Sequence, residues 1–269
     1  MASLSPLVAT SWLASRVRNP GVRVVDCRFH LAAPEQGRTD YSTGHIPGAI
    51  YLSLDDDLTG SSGPGRHPLP PAQAFRKRLG RLGIGTDHTI VAYDSGDGAY
   101  APRLWWMLRS LGHPATYVLD GGWNAWLAES RAETTVEPSF PRAEFGGHPD
   151  WTGVITGEQI AAAGDGLTLI DARAPERFSG LVEPIDPVAG HIPGAVNIPY
   201  ADNVSESGYF LTQDALQRRF EPVSGKPSLV VYCGSGVTAC SDLLALEILG
   251  RGDALLYPGS WSDWCTRFR

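Results

Sequence analysis

Two tandem α/β domains, each a small and mostly parallel sheet flanked by helices, are what this 269-residue sequence predicts. Three observations carry the prediction: an internal repeat, short apolar runs without polar alternation, and a stretch rich in Pro and Gly near the middle. The repeat is the strongest. Gly44-His45-Ile46-Pro47-Gly48-Ala49-Ile50 returns as Gly190-His191-Ile192-Pro193-Gly194-Ala195-Val196, and Val24-Val25-Asp26-Cys27-Arg28 returns as Leu169-Ile170-Asp171-Ala172-Arg173. Val91-Ala92-Tyr93-Asp94 matches Val230-Val231-Tyr232-Cys233, and Asp120-Gly121-Gly122-Trp123 matches Pro258-Gly259-Ser260-Trp261. The four blocks keep their order at a displacement of roughly 140 residues, which marks a duplicated domain and not a solenoid, since a unit of that length buries its own core.

Within the first copy, residues 5–18 read as an amphipathic helix and 22–25 as a short apolar strand. Residues 71–82 read as a helix, Thr89–Tyr93 as a strand, and 103–111 as a helix dense in Leu and Trp. A strand at 117–119 and a helix from Trp123 close the copy. Apolar runs without alternation suit strands covered on both faces, as in parallel sheets between helices. Pro138, Pro141, Gly146, Gly147 and Pro149 break regular structure, so the expected division is a domain over 1–137, a linker over 138–150 and a second domain over 151–269.

Composition narrows the function classes. A net charge of −7 argues against nucleic acid or an anionic membrane as a partner, and no apolar run approaches the roughly 20 residues that span a bilayer. Residues 1–20 mix Ser, Thr, Trp and Arg and lack the continuous apolar stretch of a signal peptide. The four cysteines, Cys27, Cys233, Cys240 and Cys265, show neither Cys-x-x-Cys pairing nor zinc-type Cys/His spacing, so no metal is expected and no cofactor motif is present. A free thiol suits a reducing cytoplasm.

The chemistry concentrates at Cys233. It ends the apolar run Leu229–Tyr232 and precedes Gly234-Ser235-Gly236-Val237-Thr238, after which residues 240–249 read as a helix. Strand, small-residue loop and helix N-terminus form a cradle of backbone N–H groups, and such a cradle stabilises a negative sulfur, making the cysteine a nucleophile. A phosphatase loop would carry an arginine at position 239, where Ala239 stands, so phosphate lacks its clamp. The alternative of an inert strand-end thiol is opposed by the Gly-Ser-Gly loop and by the repeat. Cys240 reads as a core thiol two helical turns on, or as a resolving thiol. In the first copy Asp94 takes the cysteine's place, with Asp97 nearby, so that copy cannot run thiolate chemistry.

These residues resemble the tandem-domain rhodanese-type sulfurtransferases. The resemblance rests on the two Gly-His-Ile-Pro-Gly-Ala blocks, on Asp94 in an inactive first unit, on Tyr100-Ala101-Pro102-Arg103-Leu104-Trp105-Trp106-Met107, and on Cys233-Gly234-Ser235-Gly236-Val237-Thr238. It covers nearly the whole chain. The active loop is similar to that of the 3-mercaptopyruvate enzymes of the family, whereas thiosulfate enzymes commonly carry basic residues after the cysteine. The resemblance implies a persulfide on Cys233, loop residues 234–238 and Arg177 as substrate contacts, and a proton relay through Ser235 and a first-domain histidine, His45. Glu35 and Asp40 are candidates for the companion acid. His45 and His191 share one turn motif, which also fits a structural task for both. The expected acceptor is cyanide, a low-molecular-weight thiol or a thioredoxin-like protein. A second arginine that the 3-mercaptopyruvate enzymes often place after a Glu-Pro segment is missing from Glu183-Pro184-Ile185-Asp186-Pro187. Thiosulfate transfer and a carrier without turnover are the rival readings.

Overall fold

The structure is a computed structural model that describes residues 5–268. Positions 1–4, part of the expected non-signal N-terminus, and 269 lie outside the described residues. The chain forms two compact units. One comprises the residues up to Gly60 with Pro70–Thr152 and Val204–Phe210, and the other comprises Ser61–Leu69, Gly153–Asn203 and the residues from Leu211 onward.

Unit 1 holds a five-stranded sheet in the order β1-β5-β4-β2-β3, with β1 at Leu7–Val8, β2 at Val22–Asp26, β3 at Ala49–Tyr51, β4 at Thr89–Tyr93 and β5 at Thr116–Leu119. Every pairing is parallel, as the unalternated apolar runs require. Its helices are α1 (Thr10–Ala14), α2 (Gln36–Thr43), α3 (Ala72–Arg81), α4 (Ala101–Ser110) and α5 (Gly122–Ala128). Val24, Val91, Tyr93 and Trp126 meet in the core between sheet and helices.

Unit 2 repeats the plan with four parallel strands in the order β7-β6-β8-β9: β6 at Thr168–Asp171, β7 at Val196–Asn197, β8 at Leu229–Tyr232 and β9 at Leu255–Leu256. Helices α6 (Gly157–Ala163), α7 (Pro175–Phe178), α8 (Gln213–Arg219), α9 (Ala239–Ile248) and α10 (Ser260–Arg267) complete it. Thr156 opens α6 with a capping box, its hydroxyl accepting from Gln159 N–H while the Gln159 side chain returns to Thr156 N–H.

Two sequence expectations change. The helix expected over 5–18 is a two-residue edge strand followed by the short α1, because Leu7 and Val8 pair with Val118 and Leu119 and leave only the following turn free to coil. The segment 138–150 is not a loose linker. Its prolines and glycines exclude a helix, but its backbone still needs partners. Ala143 N–H donates to Gly80, Glu144 carbonyl accepts from Thr86, and His148 N–H donates to Leu111, so the segment is laced onto unit 1.

The repeated motifs prove to be one structural device built twice. Arg28 pairs with Asp26 at 2.6 Å and donates to Gly44 carbonyl at 2.7 Å; Arg173 does the same with Asp171 and Gly190. Each Asp-x-Arg strand end is thereby tied to its Gly-His-Ile-Pro-Gly turn. These ion pairs are buried, and losing one partner of such a pair costs about 3–5 kcal/mol.

Candidate active site

The parallel strand β8 lies between β6 and β9, so Cys233 emerges at the carboxyl edge of the sheet, where α/β folds place their ligands. The loop from Cys233 to Thr238 turns directly into α9. Gly236 has φ of +77°, and a Cβ there would sit 2.6 Å from Pro258 carbonyl oxygen, so both angle and space demand glycine. That bend aims Gly236 N–H at the Cys233 sulfur, 3.2 Å away. An N–H donor at that distance stabilises negative charge on sulfur.

The first turn of α10 holds the loop in place. Ser260 Oγ accepts from Cys233 N–H at 3.1 Å and donates to Tyr257 carbonyl at 2.9 Å. Trp261 and Ser262 N–H groups donate to the carbonyls of Cys233 and Gly234. Ser260 adopts φ of +54°, an uncommon angle for a residue with a side chain, held here by complete burial and these bonds. Nothing in the sequence reading singled it out.

The histidine beside Ser235 is His67. Its Nδ1 lies 2.7 Å from Ser235 Oγ, and both side chains are buried. The relay expected from the sequence runs through His45, whose described partners lie in unit 1. His45 stacks on Tyr41 at 3.9 Å, with Nδ1 2.8 Å from Tyr41 carbonyl and Nε2 3.2 Å from Val136 carbonyl. His191 repeats that arrangement on Phe178, so the shared histidine is a packing element of its turn. Asp40, proposed as companion acid, bonds His30 and Gln36 in unit 1, and Glu35 precedes α2. The signal for His67 was an Arg-His pair isolated in a long Gly/Ser/Pro loop, the setting in which functional side chains are commonly carried.

Arg66 arrives with His67. Gly65 fits against Gly259, where a Cβ would come within 2.4 Å of the carbonyl oxygen, and Arg66 N–H donates to Ser262 Oγ at 3.0 Å. Arg177, at the end of α7, bonds Glu183 at 2.7 Å and Asp186 at 3.1 Å, while Arg66 bonds the other Asp186 oxygen at 2.5 Å. A Cβ added to Gly234 would lie 3.1 Å from Arg66 Nη2 and 3.3 Å from Arg177 Nη1. Both guanidiniums therefore flank the residue after the nucleophile. Burial works to raise the Glu183 carboxyl, but Arg177 and the N–H groups of Asp186 and Ile185 outweigh it and hold the group below its usual range. Among the other expected loop contacts, Val237 is buried and Thr238 half-buried, and their carbonyls accept from Cys240 and Ser241 in the opening of α9.

Cys240 is fully buried, its Sγ 3.5 Å from Gly236 carbonyl. Burial first, then Asp26, Asp94 and Asp57, push the Cys27 thiol well up, which keeps it protonated and inert. In unit 1 the corresponding loop is filled by its own anion: Asp94 accepts from Gly96 N–H on one oxygen and from Tyr100 and Ala101 N–H on the other. Burial and the neighbouring Asp94 raise the Asp97 carboxyl to about 7. No group of metal-ligating side chains occurs among the described residues, and no helix there is long and apolar enough to cross a membrane.

The chain is similar to known proteins over nearly its whole length. The profile of the rhodanese-like domain matches residues 9–129 and again 157–267. A protein of Pseudomonas aeruginosa described as a probable 3-mercaptopyruvate sulfurtransferase is 44% identical over 273 residues, spanning 98% of this chain and 96% of its own. The thiosulfate sulfurtransferase of Rattus norvegicus is 35% identical, spanning 97% of this chain and 92% of its own. The crystal structure of the 3-mercaptopyruvate sulfurtransferase of Escherichia coli superposes with a TM-score of 0.86 at 32% identity, over 96% of this chain and 100% of that one.

Proposed function

Because the chain belongs to the rhodanese-like domain family, with two copies of the domain, we propose that it is a sulfurtransferase that takes sulfur from 3-mercaptopyruvate through a persulfide on Cys233. The observation that carries the reading is the Cys233 sulfur at the strand end with Gly236 N–H aimed at it and no acidic residue in its loop.

In the first half-reaction the Cys233 thiolate attacks the thiol sulfur of the donor. The C3–S bond breaks, its electron pair passes to C3, and pyruvate leaves as its enolate. The proton of the donor thiol ends on C3, carried by Ser235 Oγ and His67, which are hydrogen-bonded neighbours. Arg177 holds the carboxylate of the donor. The persulfide keeps the Gly236 N–H contact. In the second half-reaction a thiol or cyanide attacks the outer sulfur, and Cys233 leaves as the thiolate. The cycle is ping-pong.

Thiosulfate is the second reading, favoured by one observation: the loop lacks cations of its own, yet Arg66 and Arg177 reach it from outside. A nucleophilic thiol at Cys233 suits a reducing compartment such as the cytoplasm. The test is steady-state transfer to cyanide from each donor, with Cys233→Ser as control and mass spectrometry of the loaded protein. A gain of one sulfur atom on wild type, absent from Cys233→Ser, and a higher kcat/KM for 3-mercaptopyruvate are expected. Normal turnover by Cys233→Ser sinks the mechanism; preference for thiosulfate sinks the donor assignment.

A further inference from the structure

We propose that Arg66 is the second carboxylate-binding group of the donor site and that Asp186 is the positioning residue that sets it beside Arg177; this rests on the donor being a carboxylate-bearing thiol. Asp186 occupies the segment where the resemblance led us to look for a second arginine. Instead of supplying a cation, this position recruits one.

Asp186 is almost fully buried and divides its two oxygens, Oδ1 to Arg66 Nη1 and Oδ2 to Arg177 Nη2. Two guanidiniums so close repel one another, and the bridging carboxylate offsets that repulsion. Glu183 braces the Arg177 side from below, accepting from its Nε and Nη2. The donors left over converge: Arg66 Nη2 and Arg177 Nη1 would lie 3.1 and 3.3 Å from a Cβ on Gly234, and Arg66 Nε is buried with no partner among the described residues. A buried guanidinium nitrogen without an acceptor is costly, and the ligand that relieves it is a planar anion with two oxygens. Gly234 has no Cβ, which leaves that anion room next to Cys233. The arrangement fixes orientation as well as charge. A carboxylate held by Arg66 on one oxygen and by Arg177 Nη1 on the other has a fixed orientation, and Cys233 is the neighbouring residue on the chain.

The probe is pyruvate, the carboxylate product, titrated calorimetrically into Cys233→Ser protein so that no turnover intervenes. Adding Arg66→Gln is expected to weaken pyruvate about tenfold or more, the loss typical of a charge-assisted bond. Asp186→Asn, which leaves Arg66 untethered, is expected to weaken it several-fold. With the nucleophile restored, KM for 3-mercaptopyruvate should rise in Arg66→Gln by more than kcat falls. Unchanged pyruvate affinity in Arg66→Gln, with Arg177→Gln losing it, overturns the role of Arg66 and leaves the donor reading standing. Wild-type protein that loads from thiosulfate but neither binds pyruvate nor uses 3-mercaptopyruvate overturns the donor reading and the inference together. Should Arg66→Gln fail to fold, as judged by its melting curve, Asp186→Asn decides: unaltered pyruvate affinity there overturns the clamp.

Discussion

Replacing Asp242 by Asn should make the protein more stable at neutral pH, by an amount that grows with pH. Asp242 lies fully buried on α9, the helix that opens just beyond the Cys233 loop. Asn203 donates to Oδ1 at 2.7 Å, and Oδ2 has no partner among the described residues. Burial raises this carboxyl to about 8; Asn203 and Arg219 work against the rise, while Asp171 and Asp202 add to it. In the unfolded chain an Asp titrates near 3.9. The native state therefore holds a proton that the unfolded state releases. The stability this provides is fully present below about pH 4 and is lost at about 1.4 kcal/mol per pH unit as the pH rises to about 8, some 5 kcal/mol in all. Asparagine is neutral throughout and keeps the Asn203 contact through its oxygen. Its amide at the unpartnered position costs about 1 kcal/mol. The variant and wild type should thus be about equal at pH 5, and the variant should lead by about 3 kcal/mol at pH 7. Urea unfolding at pH 5, 7 and 9 measures this, and unit 1 cancels because it is identical in both proteins. Parallel pH dependences for the two proteins would refute the protonated, buried carboxyl.

The site makes two further expectations. His67→Gln and Ser235→Ala should each lower kcat with 3-mercaptopyruvate about 100-fold, the usual worth of positioned proton transfer, and the double variant should fall little further because the pair acts as one relay. Fully multiplicative losses in steady-state assays would show that they act separately. Gly236→Ala forces a Cβ against Pro258 carbonyl at an angle that side chains avoid by about 1–2 kcal/mol, so the N–H moves off sulfur. Persulfide formation should slow more than tenfold while the thermal midpoint falls by a few degrees; unchanged loading kinetics would show that this N–H is dispensable.

The sequence made legible whatever is local or repeated. The β8 strand and the nucleophile loop stand where the apolar run and Gly-Ser-Gly put them, and β4 matches its expected bounds. Arg177 is singled out by the family resemblance and not by any pattern of its own; its guanidinium lies near Gly234. His67 has no repeated motif to mark it, whereas His45 and His191 recur in matching turns, each stacked on an aromatic ring and bonded to a backbone carbonyl. His67 and Arg66 lie in an irregular segment that precedes unit 2 by far in sequence yet folds as part of it. No periodicity encodes such a placement. It depends on Gly65 meeting Gly259 and on one backbone bond to Ser262, which are tertiary facts. Ser260 was hidden for the same reason, since its value lies in a positive φ and in bonds to residues far along the chain.

The two loops show how one backbone plan gives a reactive site in one copy and a closed one in the other. In both, a strand end runs into a glycine-bearing loop and then a helix; in unit 1 the N–H groups of Gly96, Tyr100 and Ala101 bond the Asp94 carboxylate, and in unit 2 the Gly236 N–H points at the Cys233 sulfur. Unit 1 resolves the unpaired N–H groups permanently with a carboxylate of its own, Asp94, which takes three of them. Unit 2 sets in that place a sulfur that can exchange its cargo, partnered by the Gly236 N–H. A built-in carboxylate is the more stable answer, because it partners three donors without waiting for a substrate. The sulfur is the functional one, because a persulfide that comes and goes needs a cradle that is not already full. The remaining differences follow from that choice. On the proposed reading, Arg66 and Arg177 draw the donor anion to the loop of unit 2, and Glu183 and Asp186 hold the two guanidiniums in place.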